Sequence, residues 1–353
     1  MKPTRHHIPQ FVILLLLMGG QTLVKGQSIR FSQFYAAPLF INPATTGISP
    51  DIQFNLNYRR QTLGNVKYET SQFGLIIPLK QGGQEDRHIG GVGINALSDM
   101  AGELGELRTY GGELSVAYRI PIDFYNKHIL SLGLQGGFLQ STLDFGNLFW
   151  PSQLAYNGFD TSRPVNEPIT DTYNVVVFNA GMLYVYDDGV KTKNRVRGNR
   201  FFVGAAGSYL NRPARSLINT GESNLPIYIR VHGGASFRVS KSVAISPSFL
   251  VASQTGLLQA SIGSKLDYNL QFKQDSKNQV AGFQGYVGGW FRFEDAVVVA
   301  VGVGNDVFTA GFSYDFSISG ERRTLPGQSA AEVALRYIIP SQKNINKSST
   351  PLF

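Results

Sequence analysis

The sequence predicts an all-β fold, a transmembrane antiparallel outer-membrane β-barrel with about 14 strands. Three observations predict it. Apolar and polar residues alternate strictly along many segments, the segments are long enough to cross a bilayer, and no run after the N-terminus is apolar for long enough to cross as a helix. Because a chain in hydrocarbon must pair its backbone groups internally, strands can cross only as a closed barrel.

The alternation is strict in the first segment, 52–59. Phe54 and Leu56 point to one face, and Asn55 and Asn57 point to the other. In a membrane barrel the apolar face contacts lipid and the polar face lines the lumen. The same period returns in the segments 110–120, 258–270, 308–317 and 331–339.

A soluble β-sandwich also alternates, and segment length separates the two folds. The segments run about 9 to 14 residues, against the about 5 to 6 that are usual in soluble strands. Aromatic residues near segment ends, such as Tyr58, Tyr118 and Tyr337, suit an interfacial girdle. The predicted strands are 52–59, 70–79, 89–99, 108–120, 128–143, 173–186, 200–210, 227–239, 242–254, 257–272, 280–293, 296–303, 307–318 and 329–339.

The connections support this arrangement. The long ones, 144–172, 211–226 and 319–328, all follow odd-numbered strands. Outer-membrane barrels have long loops outside the cell and short turns in the periplasm. The basic connection 187–199 follows an even-numbered strand and fits this rule less well.

The N-terminus predicts export. Residues 1–26 have a basic start with Lys2 and Arg5, an apolar run of about 11 residues and small residues before a cleavage site after Gly26. A membrane anchor is the alternative, but a spanning helix needs roughly 20 apolar residues. We therefore expect a signal peptide at 1–26, an N-terminal segment at 27–51, a barrel at 52–339 and a C-terminal tail at 340–353.

Composition excludes several function classes. The chain has no cysteine, and its net charge of +8 is scattered rather than clustered, so we expect no disulfide, no thiol chemistry and no nucleic-acid partner. His232 shares a polar face with Arg230 and Arg238, but no G-x-S-x-G motif accompanies it. No His, Asp or Glu cluster has metal-ligand spacing, and no glycine run opens a phosphate-binding helix. We expect no enzyme, metal or cofactor.

Charged residues on the polar face are expected to line the lumen. Such charges can line an open pore, or can pair with one another and close it. The predicted lumen-facing residues are Arg59, Glu113, Arg119, Arg230, His232, Arg238, Lys265, Asp267, Arg292, Asp315, Glu332 and Arg336.

The stretch 31–47 precedes the first strand and does not alternate. Its pattern F-S-Q-aromatic, then N-P-A and G, together with 57–61, 117–121, 311–315 and 335–337, resembles the PorP/SprF family of outer-membrane proteins from Bacteroidetes. The resemblance covers nearly the whole mature chain. It implies a type IX secretion component linked to gliding motility or to export and surface retention of large adhesins. The implied partners are outer-membrane lipid and a secreted adhesin or other secretion components, with no small-molecule substrate.

We expect the stretch 31–47 to pack at the periplasmic mouth or inside the lumen, with buried aromatic side chains and a turn at Asn42–Pro43. It either binds a partner or plugs the barrel, or it is a lid needed only for stability. The alternative function for the whole chain is a small-solute porin. The residues predicted for this segment are Phe31, Ser32, Gln33, Phe34, Tyr35, Phe40, Asn42, Pro43 and Gly47.

Overall fold

The computed structural model is a closed barrel of antiparallel strands. It describes residues 29–80, 88–144, 146, 148–167, 171–188, 199–214, 224–240, 242–270, 283–318 and 328–340. Fourteen strands within these ranges close the barrel, which confirms the predicted fold class. The predicted signal peptide and almost all of the predicted C-terminal tail lie outside the described residues.

Each barrel strand pairs with its neighbours in sequence, and the first strand pairs with the last. A two-stranded hairpin, β6–β7, lies within the connection between β5 and β8. The strands are β1 (Ile52–Leu63), β2 (Val66–Lys80), β3 (His88–Gly102), β4 (Leu107–Pro121), β5 (His128–Leu143), β6 (Leu154–Ala155), β7 (Gly158–Phe159), β8 (Thr172–Asp187), β9 (Arg200–Ser208), β10 (Tyr228–Arg238), β11 (Val243–Gln254), β12 (Leu257–Leu270), β13 (Phe283–Arg292), β14 (Ala296–Gly304), β15 (Phe308–Ser317) and β16 (Ser329–Ile339).

The largest difference from the predicted bounds is at the first hairpin. β1 and β2 continue to a two-residue turn, where Gly64 has a φ of 60° and Leu63 pairs with Val66. The prediction ended at residue 59 because polar residues then occupy both faces. Strand ends beyond the hydrocarbon face water on both sides, so they keep their backbone pairing without alternation.

The segment 173–186 alternates poorly in sequence but forms a regular strand. Val175 and Val177 point inward and pack with Leu139 and Leu225 in a buried apolar cluster. Val176 points outward and is exposed on the lipid-facing side. Part of the inner wall is therefore apolar, which explains the blurred period at this position.

The side chains follow the predicted division between wall faces. Along β1, Asn55, Asn57 and Arg59 point inward and are buried, whereas Leu56 and Tyr58 point outward and are exposed. No helix among the described residues is long and apolar enough to cross a membrane.

Two leucines of equal exposure test which surface faces lipid. Leu114, at the middle of β4, is 67% exposed, and Leu104, in the β3–β4 turn, is 66% exposed. Leu114→Arg is expected to lower the free energy of unfolding by about 2–4 kcal/mol, because it places a charge in hydrocarbon. Leu104→Arg lies outside the strands and should change it by less than about 1 kcal/mol. Urea titration in lipid vesicles measures both values, and equal losses would contradict the assigned lipid face.

Candidate functional site: a plug inside the barrel

The lumen is occupied by the chain's own N-terminal residues. We call residues 31–47 the plug. It forms three short helical turns, Phe34–Ala36, Pro38–Ile41 and Pro43–Gly47, and nearly all of its residues are buried. Proline opens the second and third turns, where its missing N–H costs nothing. The Asn42 side chain caps the third turn by accepting a hydrogen bond of 2.9 Å from the Ala44 N–H.

Four charged side chains surround the start of the plug. Arg59, Arg292, Asp315 and Glu332 are all buried, and we call them the seam cluster because Arg59 and Glu332 face each other where β1 meets β16. Asp315 Oδ2 lies 2.9 Å from Arg59 Nη2 and 3.1 Å from Arg292 Nη1. Glu332 Oε2 lies 3.7 Å from Arg59 Nη1. Two cations and two anions thus balance one another inside the barrel, as buried charges require.

Ser32 joins the plug to this cluster. Its hydroxyl donates to Asp315 Oδ2 at 2.8 Å and accepts hydrogen bonds from Arg59 and Arg292. Its backbone N–H donates to Glu332 Oε2 at 2.6 Å, and the N–H of Gln33 donates to Glu332 Oε1 at 3.0 Å. Hydrogen bonds to ionised groups are the stronger kind, so the plug is fastened at the line where the barrel closes.

A second ion pair lies just before the plug. Arg30 Nη1 is 2.9 Å from Asp295 Oδ2, in the turn between β13 and β14, and Arg292 reaches the same carboxylate. Burial and the adjacent charge of Arg292 lower the pKa of the Arg30 guanidinium to about 10. Arg30 therefore keeps its charge at neutral pH.

Aromatic side chains fill the space around the plug. Tyr35 stacks on Trp290 of β13 with ring centroids 5.2 Å apart, and Phe31 packs edge-on against Phe40 at the same distance. Lys265 Nζ lies 4.6 Å from the centre of the Tyr35 ring. These contacts combine apolar burial with a cation–π interaction.

Asn42 anchors the C-terminal half of the plug to the barrel wall. Its Nδ2 donates to the carbonyl oxygen of Met182 at 2.9 Å and lies 3.1 Å from His232 Nε2. Arg230 donates to the Phe40 carbonyl at 2.6 Å, and Ser131 donates to the Ala44 carbonyl at 2.7 Å. His232 thus contacts the plug.

Glycines in the wall allow the plug to approach closely. A Cβ atom at Gly133 would lie 2.3 Å from Ala44 N, one at Gly91 would lie 2.2 Å from Thr46 O, and one at Gly181 would lie 2.0 Å from Asn42 Oδ1. No side chain fits at these distances, so each glycine marks a place where another part of the chain touches the strand.

Amide side chains of β1, β2, β3 and β8 form a belt on the inner wall around the Glu113 carboxylate of β4. Asn57 donates to Gln72, Gln72 to Asn95, and Asn95 to Glu113, each at 2.7 Å. Asn179 donates to the other oxygen of Glu113 at 2.8 Å. Two amide donors, one to each oxygen, thus satisfy the Glu113 carboxylate.

The sequence prediction placed Asn57 and Glu113 on the lumen face but did not name Gln72, Asn95 and Asn179. The signal was present, because these amides occupy the same inward phase as the predicted charges. Arg30, Asp295 and Trp290 were also missed, since Arg30 and Asp295 lie outside the strands and Trp290 is apolar.

The remaining predicted lumen residues lie apart from the seam cluster, toward the other end of the barrel. Arg238 donates to the Ser240 carbonyl at 2.7 Å, Ser246 donates to Asp267 at 2.6 Å, and Arg336 donates to Thr309 at 3.4 Å. Arg119 lies near the same end of β4 and is half-buried. Among the described residues, no group of three or more His, Cys, Asp or Glu side chains is placed to hold a metal ion.

Comparison with known proteins agrees with the resemblance seen in the sequence. The family model "Type IX secretion system membrane protein PorP/SprF" matches residues 23–337, which confirms the predicted family. No curated protein matches the chain.

Solved outer-membrane proteins are similar only in outline. The Ralstonia pickettii toluene transporter TbuX has 11% identity and a TM-score of 0.48, and covers 86% of this chain and 94% of its own. The Pseudomonas putida toluene transporter TodX has 9% identity and a TM-score of 0.48, over 88% and 94%. The NanC porin has 8% identity and a TM-score of 0.36, over 81% and 98%. These values carry no information about what the present chain binds or transports.

The seam cluster predicts that removal of one of its charges strongly lowers the stability of the barrel. Asp315→Asn removes the anion that faces two buried guanidinium groups, so it should lower the free energy of unfolding by about 3–5 kcal/mol. Urea titration of the purified barrel measures the loss. Asp160→Asn is the control, because it breaks an exposed pair with Arg163 at 3.6 Å and should leave the urea midpoint nearly unchanged. A loss no larger than the control's would mean that the cluster does not hold the structure together.

The close contacts at the wall glycines predict that a larger residue at one of them displaces the plug. Gly133→Ala should push residues 43–45 away from β5, whereas Gly112→Ala should not, because nothing lies within 4 Å of a Cβ at Gly112. The chain has no cysteine, so Thr45→Cys, at a buried position, serves as a single reporter. Maleimide should label the thiol at position 45 in the Gly133→Ala background and not in the Gly112→Ala background. Equal labelling would show that close approach at Gly133 does not position the plug.

Proposed function

The chain belongs to the PorP/SprF family of type IX secretion system membrane proteins, and from this premise we propose that it supports the export or surface anchoring of large adhesins, and gliding motility where an adhesin drives it. The barrel is the membrane-embedded component, located in the outer membrane. It acts by binding other proteins through its loops and N-terminal segment, without a chemical reaction of its own.

One observation carries this proposal: the plug fills the lumen and is held at both of its ends. Passage through the barrel would require the plug to break the hydrogen bonds of Ser32 to the seam cluster, the aromatic contacts of Tyr35 and the hydrogen bonds of Asn42 together. A barrel that is filled by its own chain is better suited to hold partners at the membrane than to conduct them. The contacts with partners are then expected at the loops.

The longest described connection has an ordered surface suited to such contacts. Ser152 donates through its hydroxyl and its N–H to the Glu167 carboxylate, at 2.7 and 2.8 Å, and the hydroxyl lowers the pKa of that carboxyl. The β6–β7 hairpin within the connection leaves Tyr156 and Phe159 exposed. Apolar side chains displayed on an ordered loop are typical of protein-binding surfaces.

Two exposed tyrosines at opposite ends of the barrel test the proposal. Tyr156 lies in the β5–β8 connection and Tyr125 in the β4–β5 turn. A photo-crosslinking amino acid at 156 should join the barrel to the surface adhesin in living cells, and the same amino acid at 125 should not. In a strain lacking the gene, protease treatment of intact cells should find several-fold less adhesin on the surface. Unchanged adhesin display in that strain would contradict the proposal.

The porin alternative makes the opposite prediction about conductance. The purified wild-type barrel in a planar bilayer should carry no steady current, because the plug fills its lumen. The barrel lacking residues 29–47 should conduct if it still migrates as a folded, heat-modifiable species. A steady current from the wild-type barrel would favour the porin.

A further inference from the structure

The plug runs through the barrel from one end to the other. Just before the plug, Arg30 contacts Asp295 in the β13–β14 turn. Just after the plug, the Ile48 carbonyl lies 3.2 Å from Nε2 of His88, the first residue of β3. Neighbouring strands are antiparallel, so the β13–β14 turn and the start of β3 lie at opposite ends of the barrel.

The end where the plug starts is the end with the long connections. Strands alternate in direction around the barrel, so the connections that follow β1, β3, β5, β9, β11, β13 and β15 share one end. Two of these are the longest between barrel strands, 144–171 and 209–227. Outer-membrane barrels place their long loops outside the cell. The turn that contacts Arg30 is therefore extracellular, and β1 begins at the periplasmic end.

We propose that the chain enters the barrel from outside the cell, so that Ile29 lies at the cell surface. The chain enters the lumen at the extracellular mouth beside Asp295, descends past the seam cluster and Asn42, and leaves at the periplasmic end to begin β1. Ile29 then lies at the same end of the barrel as the β5–β8 connection. This placement rests on the path of the plug and does not depend on which protein is exported.

The absence of cysteine allows a direct test with single-cysteine variants. Ile29→Cys reports on the entrance of the chain into the barrel, Tyr156→Cys on the extracellular loop and Tyr125→Cys on the periplasmic turn. A membrane-impermeant biotin-maleimide is applied to intact and to permeabilised cells. The thiols at positions 29 and 156 should be labelled in intact cells to at least several-fold above the thiol at position 125, which should react only after permeabilisation.

Two results would overturn the proposal. The first is labelling of position 29 only after permeabilisation while position 156 reacts in intact cells, which would place Ile29 in the periplasm. The second is labelling of position 125 but not position 156 in intact cells, which would show that the barrel has the opposite orientation in the membrane. An epitope inserted between residues 28 and 29 gives an independent readout, because an antibody should bind it on intact cells. If the variant forms a folded, heat-modifiable barrel and the antibody does not bind intact cells, the proposal is also wrong. These experiments do not measure adhesin display. Their outcome is therefore independent of whether the proposed function is correct.

Discussion

The structure depends on the buried ion cluster at the line where the barrel closes. Arg59 of β1 and Glu332 of β16 face each other in register, and Asp315 and Arg292 complete the charge balance. None of these groups could be buried alone without a large desolvation penalty. Ser32 lies among them and contacts all four. The same interactions therefore join the first strand to the last and fix the start of the plug.

The fit between plug and wall depends both on wall glycines, which have no side chain, and on polar side chains that bond across the contact. Gly91 and Gly133 leave room for the plug backbone, Gly181 leaves room for the Asn42 side chain, and Ser131 and Asn42 supply hydrogen bonds between plug and wall. The wall glycines and the plug turns are far apart in sequence, yet each requires the other. A barrel without the plug would leave the seam cluster without Ser32 and would leave the carboxylate of Glu332 without its two amide donors.

The sequence predicted the wall almost completely, because alternation is imposed by lipid on one side and polar groups on the other. β5 and β16 have the predicted bounds, while β1 and β2 are longer because strand ends in water keep pairing without alternation. Residues 31–47 depart from the period and were predicted to lie at the periplasmic mouth or inside the lumen, but no path through the barrel was predicted. Its contacts, such as Ser32 with Glu332 and Asn42 with His232, join residues that are 300 and 190 positions apart, and no local pattern encodes such pairs. The amide belt was missed for a simpler reason, since neutral Asn95 and Gln72 on an inward phase resemble solvated positions.

The order of events in folding follows from these long-range contacts. The plug precedes β1 in sequence, but its partners lie on β5, β8, β10, β13, β15 and β16, so it cannot be fixed until most of the wall exists. It also cannot enter a closed barrel easily, because it contacts the wall at both ends. We expect the wall to curl around the plug and to close at β1–β16 last, with the seam cluster forming at that step. Contacts that form last in this way contribute to slow unfolding, because they must be broken before the barrel can open.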